Sequence, residues 1–293
     1  MIYAIVGPTG SGKTSLACEV ASKFNLPIVN ADAFQIYKNM NIGTAKIDEK
    51  DPLYKNHYII DVIEPNETYS VKQYRDDFDK VIFDLLKNNK DVIICGGTGL
   101  YLRAALYDYS FPDQDILDTS KYDSLSAEEL YSRLEKLDPE SASKIHPNNK
   151  KRVIRALIIA ENSQLTKSEN IASQEHKMRF DGVEILFLNP NREELYQTIN
   201  NRVDQMFDNG LVEEVEALLK MYDFSLTAYQ AIGYKEVIDY LKGKTTLEEC
   251  KELIKKRTRN YAKRQVTFFK HQFETIEFNN KKDLLEYLLD KIK

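Results

Sequence analysis

The stretch Ile2-Tyr3-Ala4-Ile5-Val6-Gly7-Pro8-Thr9-Gly10-Ser11-Gly12-Lys13-Thr14 constrains this chain more than any other. An apolar run of strand length leads straight into the pattern G-x-x-x-x-G-K-T. Ser15 to Phe24 then carries Leu16, Ala17, Val20, Ala21 and Phe24 at helical spacing. Strand, glycine-rich loop and helix in that order are the context a phosphate-binding P-loop requires. Gly7 and Gly12 let the backbone curl so that successive N–H groups converge on phosphate oxygens, and the helix N-terminus adds partial positive charge. The candidate diphosphate- or nucleotide-binding residues are Gly7, Pro8, Thr9, Gly10, Ser11, Gly12, Lys13 and Thr14. Lys13 reaches a terminal phosphate, and the Thr14 hydroxyl is placed to ligate Mg2+. The plain alternative is a glycine-rich turn that holds no ligand.

Four further runs read as strands: Leu26 to Asn30, His57 to Ile63, Val92 to Cys95 and Val183 to Leu188. In parallel α/β sheets ligands collect at the carboxyl ends of strands. Asp32, just past the second run, therefore shares a rim with the P-loop, where it either faces a ligand or caps the next turn. The loop Asn41-Ile42-Gly43-Thr44-Ala45-Lys46 is a weak signal alone. Ser70 opens a helix carrying Tyr74, Phe78, Val81, Ile82, Leu85 and Leu86. After the fourth strand comes a second glycine-rich turn, Gly96-Gly97-Thr98-Gly99. Many P-loop ATPases end such a strand with an Asp that holds Mg2+, so Cys95-Gly96-Gly97 in its place argues against a motor-type ATPase.

Strand patterning is missing from Asp113 to Glu169, where Ala127 to Leu137 and Lys150 to Glu161 read as helices. The expected organisation is a helical insertion domain over 113–179 in a core of 1–112 and 180–293. Beyond Leu188 the chain is helical: Arg192 to Asp208, Leu211 to Met221, Tyr229 to Leu241, Leu247 to Gln272, and a short helix from Lys281. Gly210 and Gly243 mark breaks. Two runs concentrate positive charge, Lys150-Lys151-Arg152 with Arg155, and Lys255 to Arg264. Each is either a solvated helix face or a phosphate-contacting one. Tyr261, Phe268 and Phe269 beside the second run read as core packing.

A net charge of −5 argues against non-specific coating of nucleic acid, but a local basic site still acts within a Debye length. Cys18, Cys95 and Cys250 make no C-x-x-C pair, and His57, His146, His176 and His271 show no ligand spacing. A disulfide framework and a zinc site are not expected, and a reducing cytoplasmic setting is. No apolar run approaches the ~20 residues of a membrane span, and no secretory leader precedes Ile2, so no membrane contact is expected. Neither a G-x-S-x-G turn nor a Cys–His pairing offers a covalent nucleophile. Phosphate apparatus, a carboxylate on its rim and two basic patches suit transfer of a group from a diphosphate to a nucleic-acid amine.

An ordered series of blocks carries a more specific likeness. They are Gly7 to Thr14; Asp32 to Tyr37 with Ile42 to Lys46; Gly96 to Tyr101; Ile145 to Asn148 with Arg152 to Leu157; Asn201 to Met206; Gln230 to Lys235; and Arg257 to Arg259 with Tyr261 to Gln265. Over nearly its whole length the chain resembles the bacterial tRNA dimethylallyltransferases. The resemblance implies an α/β fold: a P-loop nucleotide-kinase-like parallel-sheet core with an all-helical insertion and a helical C-terminal third. It also implies transfer of the dimethylallyl group of dimethylallyl diphosphate to N6 of the adenosine 3′ of the anticodon, with Mg2+ present and diphosphate released. The expected partner is the tRNA anticodon stem-loop, and the expected state a monomer.

By the same resemblance Asp32 aligns with the general base, Thr98 with a residue on the diphosphate side, and Arg202 with a basic residue beside it. With Lys13 they form the expected catalytic set. Asp32, Ala33, Phe34 and Gln35 align with positions that touch the anticodon loop, as do Lys151, Arg152, Val153, Ile154 and Arg155, and also Gln230, Gly233 and Lys235. Three departures stand out. Ala33 replaces the usual Ser; Asp115 to Ser126 is shorter and lacks a tRNA-contacting Arg, a place open to Lys121; and Ser163 to Lys167 replaces a Thr-Gly-Lys turn. Three other readings compete. An adenylate prenyltransferase would need neither basic patch, a P-loop small-molecule kinase would phosphorylate without tRNA, and a silent RNA-binding module would need neither Lys13 nor Asp32.

Overall fold

The computed structural model describes residues 1–88, 90–108, 119–162 and 177–292. Residues 115–118 of the shortened stretch, the turn at 163–167 and His176 lie outside these. The chain divides into two compact units, Met1–Ala105 with Phe180–Lys293, and Leu106–Arg179.

The first unit is built on six parallel strands: β1 (Ile2–Val6), β2 (Ile28–Asn30), β3 (His57–Tyr58), β4 (Val92–Gly96), β5 (Val183–Leu188) and β6 (Ile276–Phe278). Their order is β3-β2-β4-β1-β5-β6. Every residue of β1 and β4 is buried, the pattern of parallel strands covered on both faces. Tyr3, Ile5, Leu186 and Leu188 pack with α1 (Lys13–Phe24) and with Leu284 and Leu288 of the terminal helix, Lys281–Lys291. The alternate residue Phe187 meets Phe269 of the long helix, Leu247–Gln272, with ring centroids 5.6 Å apart. The helix α2 (Val71–Lys87) starts on a Ser70–Gln73 capping box and stacks Tyr74 on Tyr101 of α3 (Gly99–Leu106) at 4.0 Å.

Three details differ from the sequence expectation. The strand expected over His57 to Ile63 ends at Tyr58, because Ile59 and Asp61 take left-handed φ of 58° and 54°. The helix expected over Tyr229 to Leu241 is two helices, Leu226–Tyr229 and Tyr234–Leu241, broken at Gly233 with φ 101°. Ile276–Phe278, unforeseen, adds the edge strand beside β5.

The second unit holds α4 (Ala127–Leu137), α5 (Pro139–Lys144) and α6 (Lys150–Asn162). Ser126 and Glu129 close a capping box on α4, and Asp138 caps α5 ahead of Pro139. Tyr122, Leu130, Leu134, Ile145, Val153 and Leu157 form its core. Among the described residues the remaining α-helices, all in the first unit, are α7 (Arg192–Asp208), α8 (Leu211–Met221), α9 (Leu226–Tyr229), α10 (Tyr234–Leu241), α11 (Leu247–Gln272) and α12 (Lys281–Lys291). Among the described residues no helix is long and apolar enough to cross a membrane.

Candidate active site

The loop after β1 curls through Gly10 and Gly12 at φ 83° and 87°, values open to glycine at little cost. Gly12 caps α1 with no side-chain bond, so the first-turn N–H groups remain for an anion. Ser11 Oγ is buried without a hydrogen-bond partner among the described residues. Lys13 is buried as well, its Nζ donating to Pro8 O at 3.3 Å. Burial pushes the Lys13 ammonium below its usual range, while Cys95 and the Asp32 carboxylate work the other way. A cation held at such a cost gains most from a bound anion.

The rim of β2 and β4 faces this loop. The Asn30 side chain accepts from Asp32 N at 3.0 Å and donates to Asp32 O at 3.1 Å and Ile59 O at 3.0 Å. Asp32 Oδ1 accepts from Phe34 N at 3.0 Å, an Asx turn. The capping reading of Asp32 thus holds for one oxygen; Oδ2 has no hydrogen bond among the described residues. Thr98 donates its N–H to Ala31 O and accepts from Ala33 N on Oγ1, both at 3.0 Å, tying the two turns together. From α7, Arg202 Nη1 donates to Thr9 Oγ1 at 3.3 Å. Burial lowers the Arg202 pKa and the Asp32 charge opposes that shift.

Lys13, Thr14, Asp32, Gln35 and Arg202 line one polar cavity. Thr9, Asp32 and Arg202 also border a second, apolar one walled by Phe34, Val203, Met206, Ile232, Ile254 and Tyr261. The Gln35 amide donates to Thr44 O at 3.2 Å and Ala45 O at 3.4 Å, anchoring the loop that follows.

Three residues outside the expected set shape this site. Gln265 of α11 is buried, accepts from Thr9 N at 2.8 Å and donates to Gly97 O at 2.8 Å, bridging both glycine turns. Tyr261, one helical turn earlier, borders the apolar cavity instead of packing in the core. Its hydroxyl is pushed up to about 12 by burial and then by the Asp32 carboxylate. Glu214 accepts from the N–H groups of Asn41, Ile42 and Gly43 at 3.1, 2.7 and 3.3 Å and from Tyr234 Oη at 2.6 Å. Tyr261 and Gln265 fall in a block that carries the family resemblance, with no role attached to either; nothing local marks Glu214.

The expected RNA contacts divide. Lys151 and Arg152 are exposed, Ile154 and Arg155 half-buried, and Val153 points into the core of its own unit. Lys121 is paired with Glu161 at 2.7 Å. Gln230 is exposed; Gly233 donates to Glu236 Oε2 at 2.8 Å, and Lys235 lies over the Tyr229 ring. Part of the basic run on α11 is consumed internally. Lys255 pairs with Asp204 and Glu252, Arg257 with the buried Glu236, and Arg259 bonds Asn200, leaving Lys256, Lys263 and Arg264 exposed.

A P-loop without an acidic strand end, facing a carboxylate and an apolar cavity, suits a transferase with a phosphorylated donor better than a motor ATPase. The comparisons with known proteins are more specific. The family model "IPP transferase" matches residues 35–272. A tRNA dimethylallyltransferase of Thermoanaerobacter sp. (strain X514) is 41% identical, over 99% of this chain and 98% of that protein. The crystal structure of a tRNA delta(2)-isopentenylpyrophosphate transferase from Staphylococcus epidermidis superposes with TM-score 0.70 at 35% identity, covering 99% of this chain and 98% of that one. A eukaryotic dimethylallyltransferase acting on tRNA gives TM-score 0.80 at 29% identity, covering 96% of this chain and 74% of that one. The chain belongs to the IPP transferase family.

Proposed function

We propose that this chain carries out its family's reaction on the rim formed by β1, β2 and β4. It transfers the dimethylallyl group of dimethylallyl diphosphate to a tRNA adenosine near the anticodon. The observation that carries the residue roles is the convergence of Lys13, Arg202 and Asp32 on a polar cavity that adjoins an apolar one. The diphosphate lies on the Gly10 to Gly12 backbone with Lys13 and Arg202 against its charge. The acceptor is N6 of the adenosine 3′ of the anticodon, which leaves the loop stack at a cost of about a few kcal/mol.

The N6 lone pair attacks the allylic carbon, the carbon–oxygen bond breaks, and its electron pair leaves with diphosphate. Asp32, through its unpartnered Oδ2, accepts the amine proton. An adenine amine is a poor nucleophile, so alignment and stabilisation of the leaving group carry most of the acceleration. Mg2+, when bound, neutralises charge developing on that leaving group. Among the described residues no group of three or more His, Cys, Asp and Glu could hold a metal. Thr14 lines the polar cavity, and its hydroxyl would hold such an ion together with phosphate oxygens and water. Lys151 and Arg152 contact the RNA backbone, and the protein acts as a cytoplasmic monomer.

Asp32→Ala tests the assignment. Turnover should be lost while binding of an anticodon stem-loop, followed by fluorescence anisotropy, largely survives. Equal loss of both would make Asp32 a recognition residue only.

A further inference from the structure

One apolar side chain of the cavity beside the P-loop also lines a neighbouring groove. The cavity is bordered by Thr9, Asp32 and Arg202, and its apolar wall includes Val203, Ile254 and Met206. Met206 also lines the neighbouring open groove, which includes Asn41, Lys46, Gln205 and Asn209. Of the described residues only Arg202 and Met206 line both cavity and groove. They sit four apart on α7, hence on the same face of that helix. Arg202 reaches Thr9 of the P-loop, and Met206, 8% exposed, lies one turn further on.

We propose that Met206 is the wall that sets the length of the isoprenoid donor, admitting a dimethylallyl group and excluding a geranyl one. The inference rests on the proposed reaction. An allylic diphosphate carries its hydrocarbon on a diphosphate oxygen. With the diphosphate on the P-loop, that hydrocarbon enters the apolar space bordered by Thr9 and Arg202. A second isoprene unit has to continue through Met206 into the groove. The bonds made and broken are identical for both donors: the carbon–oxygen pair leaves with diphosphate, the N6 pair forms the new carbon–nitrogen bond, and the amine proton passes to Asp32. Discrimination between them is therefore steric. An unbranched methionine fills an irregular gap without leaving a void, and its truncation joins the two spaces.

The test compares wild type, Met206→Ala and Met206→Leu with dimethylallyl and geranyl diphosphate, unmodified tRNA and Mg2+, reading the modified nucleoside by mass spectrometry. Met206→Ala should raise the geranyl-to-dimethylallyl ratio of kcat/KM by about 10- to 200-fold, the range for a change of hydrophobic pocket size. Met206→Leu, close in volume, should keep the wild-type ratio. Met206→Val carries the same test should the alanine variant fail to fold. An unchanged ratio in a folded, active Met206→Ala protein overturns the inference. A raised tRNA KM with the donor ratio unchanged also overturns it, because the cavity then serves the adenine. Absence of dimethylallyl transfer by wild type overturns the underlying reaction instead.

Discussion

Gln265→Ala should loosen the phosphate cradle from a helix that contributes no phosphate ligand of its own. The Gln265 side chain is 5% exposed and spans Thr9 N and Gly97 O with two bonds of 2.8 Å. Truncation strands the buried Gly97 carbonyl, at about 1–3 kcal/mol for an unsatisfied buried group. Thr9 N is only part-buried and recovers water, adding about 1 kcal/mol. The sum, about 2–4 kcal/mol, is a large share of the ~5–15 kcal/mol that holds an ordinary domain folded. Urea denaturation gives the loss directly. Because Thr9 also meets Arg202, the KM for dimethylallyl diphosphate should rise more than that for tRNA. Gln265→Glu keeps an acceptor for Thr9 but sets a second oxygen against Gly97 O, so it should rescue neither quantity. A loss below about 0.5 kcal/mol, the size of an ordinary surface change, together with an unchanged donor KM would refute this view of Gln265.

Three further outcomes are expected. Asp61→Ala removes the carboxylate 2.5 Å from the buried Lys46 ammonium, leaving it only the neutral acceptors Tyr37 O and Asn41 Oδ1, and should cost about 3–5 kcal/mol. Burial already lowers the Lys46 pKa. In the variant the unfolded chain binds more protons than the folded one in the alkaline range, so stability should recover as pH rises there, measured by denaturation across pH. Glu214→Ala frees the N–H groups of Asn41, Ile42 and Gly43, and should lower Tm and raise the KM for tRNA; an unaltered KM would make this latch purely structural. Replacing Lys151 and Arg152 together by alanine should reduce the slope of log Kd for tRNA against log salt by about 1.4–1.8, and an unchanged slope would remove α6 from the RNA interface.

The parts of the fold that announced themselves did so through redundant local signals. The helix Leu247–Gln272 has a Thr246–Glu249 capping box and no internal glycine or proline, so it runs unbroken as expected. Val183–Leu188 reads as a strand because every residue but Glu184 is apolar. β6 did not, since its three residues are an edge strand, exposed at Ile276 and Glu277, that depends on β5 for its pairing. The early end of β3 is equally invisible, because β-branched Ile59 is a poor candidate for a left-handed φ. Asn30 makes that turn tolerable by donating to Ile59 O. At the site, the P-loop and Asp32 were legible because spacing and strand ends define them. Gln265, Tyr261 and Glu214 were not, since each acts across a long sequence separation.

The central claim is that this rim moves a prenyl group onto tRNA, and one incubation addresses it. Purified protein is mixed with Mg2+, radiolabelled dimethylallyl diphosphate and unmodified tRNA bearing adenosine 3′ of the anticodon, with AMP replacing tRNA in parallel. Label should enter tRNA, at N6 of that adenosine, and not AMP. Label in AMP alone, or in neither while the protein is folded, would contradict the account.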